Sequence, residues 1–180
     1  QNLDNIEAAI TSYEKVLVIK PDFAELHNNL GVIYQGVGEI NSALEHLEAA
    51  VRIMPEFAEA HCNLGNVLKE LNQLDKAIEC YKNAVAIKPD LADGYFNIGL
   101  MLQDQKKFDS AVKNYEMAIS INPNYADAHL NLGNVLQDLG QLDESVESYQ
   151  KTLVIKKDSI EAHFELGLTF MQLGKFDAAI

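Results

Sequence analysis

Apolar residues recur along the chain at intervals of three and four, the period of a helix with one buried face, rather than alternating as in a strand. In residues 58–91, His61, Leu64, Gly65 and Leu68 form the stripe of one helix, and Leu74, Ala77, Tyr81 and Ala84 that of a second. Between them lies Asn72-Gln73, and neighbouring stretches carry Gly38-Glu39 and Gly140-Gln141 at the same place. Gly or Asn suits the left-handed turn that follows a helix, where most side chains crowd the backbone. Lys106 stands at that place in a third stretch and departs from the rule. A proline closes the second helix, because its ring fixes φ and removes an N–H. The pattern predicts an all-α fold of antiparallel helix pairs.

The pairs repeat. Pro21, Pro55, Pro89 and Pro123 are spaced by 34 residues, as are Gly31, Gly65, Gly99, Gly133 and Gly167. A fixed period of this length is the mark of a two-helix repeat. Starting the repeat at Ala24 gives four whole repeats, 24–57, 58–91, 92–125 and 126–159, preceded by a partial one at 1–23 (a second helix) and followed by a partial one at 160–180 (a first helix and the start of a second). The chain thus reads as one array over 1–180, and neither terminus falls on a repeat boundary, as expected for a piece of a longer array. Gly31 and its equivalents, with Ala9, Ala43, Ala77, Ala111, Ser145 and Ala179, let the paired helices approach closely. Leu30, Tyr34, Tyr81 and Tyr115 fill the space that remains.

The pattern His-x-Asn-Leu-Gly followed by Ala, Tyr, Ala and Pro at fixed offsets resembles the tetratricopeptide repeat (TPR) family over essentially the whole chain. The resemblance implies a right-handed superhelical solenoid, with first helices lining a concave groove and second helices on the convex side. His27, His61, Tyr95, His129 and His163 stand where many members of the family carry Trp. In the last whole repeat Ser145, Thr152 and Lys157 also depart from the pattern, so the junction at Lys157, which lacks its proline, is expected to be less sharply broken.

Each helical residue advances by about 100°, so residues 27, 30, 31 and 34 share one side and 25, 29, 32 and 36 the other. The first set is the packing seam and the second faces solvent or a ligand. In the second set one place is always acidic: Glu25, Glu59, Asp93, Asp127 and Glu161. Carboxylates in a first turn suit the helix dipole, and with Glu70, Asp104 and Asp138 nearby they make a negative wall that favours cationic segments. Another place reads Asn29, Asn63, Asn97 and Asn131, then Glu165. A carboxamide offers two donors and an acceptor, the complement of a peptide unit, so a row of them can hold an extended chain by its backbone. Asn66 and Asn134 join the same candidate wall.

The segment His61-Cys62-Asn63-Leu64-Gly65-Asn66-Val67-Leu68-Lys69-Glu70 is most similar to repeats of the O-linked N-acetylglucosamine transferases. That resemblance implies that Asn29, Asn63, Asn97 and Asn131 bind the backbone of a protein substrate ahead of a separate catalytic domain. It contrasts with the chaperone-binding members of the family, whose groove carries Lys and Arg. Here the corresponding places read Asn28, Cys62, Phe96, Leu130 and Phe164, with Lys69 the one basic residue near the stripe.

Composition narrows the field further. With 14 Lys+Arg against 27 Asp+Glu the net charge is −13, which argues against a nucleic-acid partner, since phosphate affinity comes from cations. No apolar run reaches the roughly 20 residues of a membrane span. Two cysteines without a visible secretory signal suit a reducing, cytoplasmic setting, with Cys62 and Cys80 expected as reduced thiols. Four histidines share one structural place in successive repeats, too far apart to hold one metal ion, and His46 reads as surface. No phosphate loop, HExxH or nucleophile elbow is present, so neither catalysis nor a cofactor is expected. The expectation is a protein-interaction scaffold that binds a peptide segment, cationic ones included. The alternative is the substrate-docking region of a glycosyltransferase. Incomplete repeats at the termini expose apolar seams (Ile6, Ala9 and Tyr13; Leu166 and Phe170) suited to weak head-to-tail self-association.

Overall fold

The computed structural model describes residues 2–174, with side chains from residue 5 onward. Ala179 and the second-helix start expected within 175–180 lie outside the described residues. The described residues form ten helices: α1 (Asn2–Ile19), α2 (Ala24–Gly36), α3 (Ile40–Ile53), α4 (Ala58–Glu70), α5 (Leu74–Ile87), α6 (Ala92–Asp104), α7 (Phe108–Ile121), α8 (Ala126–Asp138), α9 (Leu142–Ile155) and α10 (Ile160–Gln172). They divide into two compact units, residues 1–89 and 90–180. In the N-terminal unit α2 pairs with α3 and α4 with α5, and α2 also touches α4. In the C-terminal unit α6 pairs with α7 and α8 with α9, while α8 meets both α6 and α10. Each unit is therefore a stack of helix hairpins, with even-numbered first helices side by side.

Within each hairpin the approach is set by glycine. A Cβ built on Gly65 falls 2.6 Å from Cε1 of Tyr81, and one on Gly99 falls 2.6 Å from Cε1 of Tyr115. At Gly133 the distance to Tyr149 Cε1 is 2.5 Å, and at Gly31 a leucine, Leu47, fills the same space. Real Cβ atoms do not come so close, so these rings occupy the volume that any other residue's side chain would need. Tyr81, Tyr115, Tyr149 and Leu47 are fully buried, as are Ala77, Ala111, Ser145 and Ala43 one turn earlier on the same helices. The hydroxyl of Ser145 donates to the Gly133 carbonyl at 2.9 Å, and Thr152 Oγ1 donates to the Ser148 carbonyl at 3.1 Å. Both substitutions thus satisfy their extra polar atom inside the hairpin, and α9 keeps the same 14-residue length as α7.

The turns follow the expected chemistry with one addition. Gly38, Gly140, Gly174 and Asn72 have positive φ, and so does Lys106, at 57°. Lysine therefore adopts the left-handed conformation that the tight turn demands, although its Cβ disfavours it.

The junction at Lys157 corrects an expectation. α9 ends at Ile155, two residues before Lys157, just as α7 ends at Ile121 before Pro123 and α5 at Ile87 before Pro89. What recurs at this junction is a histidine bond. Nε2 of His27, His61 and His129 donates to the carbonyl of Pro21, Pro55 and Pro123 at 3.0, 2.8 and 3.0 Å. His163 makes the same bond to the Lys157 carbonyl at 3.0 Å. Because a backbone carbonyl is the acceptor, losing the pyrrolidine ring leaves the bond intact. Ser159 adds a cap by accepting from the Ala162 N–H at 3.3 Å.

His46 is also corrected, since it is half-buried rather than superficial. Its Nδ1 lies 2.9 Å from Nδ1 of His27, and its ring stacks on Tyr34 with centroids 5.4 Å apart. His27 donates through Nε2 to Pro21, so in the neutral pair His27 Nδ1 accepts and His46 Nδ1 donates. Burial holds the His46 pKa below its ordinary value and the neighbouring His27 adds to this, against the opposing pull of Glu14 and Glu45. The folded protein binds the proton less readily than the unfolded chain just below pH 6.5, so stability rises with pH through that window and levels off above it. Urea unfolding at pH 5.5 and 7.5 checks this: the midpoint is lower at pH 5.5, and His46→Gln shrinks the difference. An equal difference in His46→Gln contradicts it.

Candidate functional site

The candidate wall is built on the first helices, on the side turned away from the glycine seam. Each first helix carries one acid in its opening turn: Glu25 on α2, Glu59 on α4, Asp93 on α6, Asp127 on α8 and Glu161 on α10. One turn later come the carboxamides. Asn29 is exposed, and Asn63, Asn97 and Asn131 are half-buried. The pair Asn29 and Asn63 belongs to the N-terminal unit, and Asn97 and Asn131 to the C-terminal unit.

Part of this polar set is committed to the protein itself. Asn63 donates through Nδ2 to Oδ1 of Asn28 at 2.9 Å, and Asn131 through Nδ2 to the Asp127 carbonyl at 2.8 Å. A carboxamide has two N–H groups, so each such bond consumes one and fixes the direction of the other. The oxygens of Asn66 and Asn134 accept from the hydroxyls of Tyr81 and Tyr149, both at 2.8 Å. These two asparagines anchor the seam tyrosines, which narrows what they can offer a ligand to their N–H groups. In the repeat between, Leu100 stands at that place, and Tyr115 donates to Gln103 Oε1 at 2.6 Å instead. Tyr149 also has Gln137 Oε1 within 2.9 Å. Burial raises the pKa of all three phenols, which keeps them neutral donors.

The acidic row is likewise uneven. Glu59 pairs with Lys88 at 2.6 Å, and that bond holds its carboxyl below the usual range. Both side chains are more than 40% exposed, so the pair adds little stability. Asp93 accepts from the Tyr125 hydroxyl at 2.8 Å, and Glu70 from Gln35 Nε2 at 2.6 Å. Between α8 and α10, Asn134, Gln137, Asp138, Glu165 and Gln172 line a polar cavity of about 450 Å³. Glu165, which interrupts the asparagine row, is thus a wall residue of this cavity. The glutamines were missed by sequence reasoning, although Gln35, Gln103 and Gln137 fall in the same 34-residue phase.

Asn28, Cys62 and Leu130, taken from the sequence as groove places, are 8, 5 and 7% exposed. Asn28 meets Asn63 on α4 and Leu130 packs with Ala162 on α10, so these are packing positions rather than groove positions. The Cys80 thiol is pushed up to about 11, by burial first and then by Glu79 and Glu48, so it stays protonated at neutral pH. Among the described residues no group of three or more His, Cys, Asp and Glu side chains is arranged to hold a metal ion. Among the same residues no helix is long and apolar enough to cross a membrane.

Comparison with known proteins agrees with this architecture. The family model described as TPR repeat matches five times, at residues 3–38, 37–72, 65–106, 99–140 and 133–174. No curated protein matches the chain. Among solved structures, one of MamA is 30% identical, with 87% of this chain and 91% of that chain covered and a TM-score of 0.75. YrrB, described as a TPR protein with an unusual peptide-binding site, is 20% identical over 93% of this chain and 87% of that chain, with a TM-score of 0.76. PilF of Pseudomonas aeruginosa is 23% identical over 87% of this chain and 71% of its own, with a TM-score of 0.80. With the repeat matched from residue 3 to residue 174 and each hairpin closed on a glycine, the chain belongs to the tetratricopeptide repeat family.

Proposed function

We propose that the chain is a non-enzymatic protein-binding scaffold whose first-helix faces hold an extended peptide segment by its backbone. The observation that carries this reading is the recurrence of Asn29, Asn63, Asn97 and Asn131 at one place on successive first helices, outside the packed core. Asn63 and Asn131 each keep one N–H and the carboxamide oxygen after their internal bonds are counted. That remainder matches the C=O and N–H of one peptide unit. The acids one turn earlier bias the site toward cationic segments. The peptide-binding site described for YrrB supports the same use of the fold.

A second reading rests on the asparagine row too: the chain is the substrate-docking region of a transferase resembling the O-linked N-acetylglucosamine transferases. A nucleotide-sugar-binding domain in the same polypeptide separates it from the simple scaffold. The groove itself is tested by changing Asn63, Asn97 and Asn131 together to Ala and measuring binding across a peptide array. Removing three donor–acceptor sets weakens bound peptides by about tenfold or more. Unchanged binding with the helical circular dichroism preserved contradicts the proposal.

We also propose weak self-association through apolar faces. On α10, Ile160 and Phe164 are 85 and 62% exposed and share one face with the exposed Met171. On α1, Val18 and Ile19 are each 85% exposed, whereas Ile6, Ala9, Tyr13, Leu166 and Phe170, expected from the sequence as the exposed seams, are half-buried. Contact between these surfaces of two copies is heterologous and propagates head to tail. Sedimentation equilibrium shows a weight-average mass that rises with concentration if this holds, and a constant monomer mass if it does not.

A further inference from the structure

A second recess lies in the C-terminal unit, away from the asparagine row. It has a volume of about 720 Å³ and lies between α7 and α9, the second helices of successive repeats, over the back of α8. His129 and Leu136, which line it, sit roughly 140 to 160° around α8 from Asn131. Its floor is apolar: Val112 and Ile119 from α7 and Leu132 from α8 are half-buried, with Leu136 behind them. Two polar groups beside that floor are bonded internally. Ser148 Oγ donates to the Glu144 carbonyl at 3.0 Å, and His129 Nε2 to the Pro123 carbonyl at 3.0 Å. A ligand resting there meets a mainly apolar surface.

The rim is acidic. Glu116 on α7 and Glu144 and Glu147 on α9 are exposed around the opening, and Lys151 is the one cation lining it. The N-terminal unit shows that the repeat does not require this charge. Sixty-eight residues earlier, helices of the same lengths (α3 and α5) carry Arg52 at the place of Ser120, Lys76 at that of Glu144, Asn83 at that of Lys151 and Leu44 at that of Val112. Those changes balance the charge there, with Glu48 and Glu79 against Arg52 and Lys76, whereas the C-terminal rim has a net charge of −2. Val112 and Ser120 are smaller than Leu44 and Arg52, and the recess of about 450 Å³ lined by His61 and Asn83 in the N-terminal unit is smaller than the C-terminal one. Small residues and extra acids therefore coincide in one recess, as a binding site for an apolar side chain flanked by cations requires.

We propose that this recess docks a cationic amphipathic segment of a partner protein. A bulky apolar side chain of the partner enters between Val112, Ile119 and Leu132. Lys or Arg residues on either side of it reach Glu116 on one wall and Glu144 and Glu147 on the other. The volume falls within the range of pockets that enclose several such groups, and charge complementarity sets the partner's sign.

The test uses the intact chain and fluorescence anisotropy with a labelled 15-residue peptide bearing Leu and Phe on one helical face and Lys on the other. Its twin has every Lys replaced by Glu. The Lys peptide binds and the Glu twin does not. Glu144→Lys and Ser120→Arg, which install residues the repeat already accommodates as Lys76 and Arg52, each weaken binding by about tenfold, with the helical signal and urea midpoint unchanged. Asp22→Lys, a charge reversal far along the sequence in the other unit, and the Asn63, Asn97 and Asn131 change to Ala leave the affinity as it was. Equal binding of the two peptides overturns the proposal, as does indifference to Glu144→Lys and Ser120→Arg. A loss with the asparagine change places the peptide on the first-helix wall instead, and an equal loss with Asp22→Lys reduces the attraction to net charge. Either result overturns it.

Discussion

Each whole hairpin depends on a bulky side chain, a tyrosine ring in three of the four, lying where a side chain is missing. Tyr81, Tyr115 and Tyr149 press against Gly65, Gly99 and Gly133 so closely that a single added carbon overlaps the ring. The contact brings the two helices of a hairpin to the spacing of a packed core, and its polar end is fixed as well. The phenol hydroxyls emerge on the first helix at Asn66, Gln103 and Asn134. A tyrosine so held links both helices through dispersion at the ring and a hydrogen bond at the tip. Turning the first helix to relieve either contact would break the other, so the face that carries Asn63 or Asn131 is held outward. The leucine version, Leu47 against Gly31, makes the apolar contact without the polar tip.

Much of this was legible in the sequence because a 34-residue period converts position into place. The helix pairs, the small-residue seam, the left-handed turns at Gly38, Asn72 and Gly140 and the outward set at 25 and 29 all follow from spacing alone. Spacing does not name partners, and there the reading fell short. The histidines looked like substitutes for an aromatic ring, and only coordinates show that their Nε2 reaches the carbonyl six residues back. That bond is kept at Lys157, where the proline is missing. His46 appeared superficial because nothing in one strand of sequence reveals that His27 faces it across the hairpin. Asn66 and Asn134 shared the phase of a ligand wall, yet their oxygens belong to the core tyrosines.

Charge is distributed with the same economy. The first-turn acids Glu25, Glu59, Asp93, Asp127 and Glu161 lie where the helix dipole favours them. Glu59 and Asp93 show that part of the acidic row is neutralised or hydrogen-bonded by its own protein. Glu116, Glu144 and Glu147, by contrast, stand together around an apolar floor. The two proposed modes of recognition differ in kind: amide to backbone on the first helices, and charge around an apolar socket between the second.

The contact between ring and glycine is tested most directly by comparing two substitutions of one chemistry. Gly133 meets Tyr149, whereas Gly36, at the end of α2, has nothing within 4 Å of its added Cβ. Measured by urea unfolding, Gly36→Ala is neutral or stabilising by up to about 1 kcal/mol, the helix preference of alanine. Gly133→Ala destabilises by about 1 to 3 kcal/mol because the buried ring must move. If Gly133→Ala matches Gly36→Ala, the seam tolerates a side chain there, and the close approach does not hold the hairpin as described.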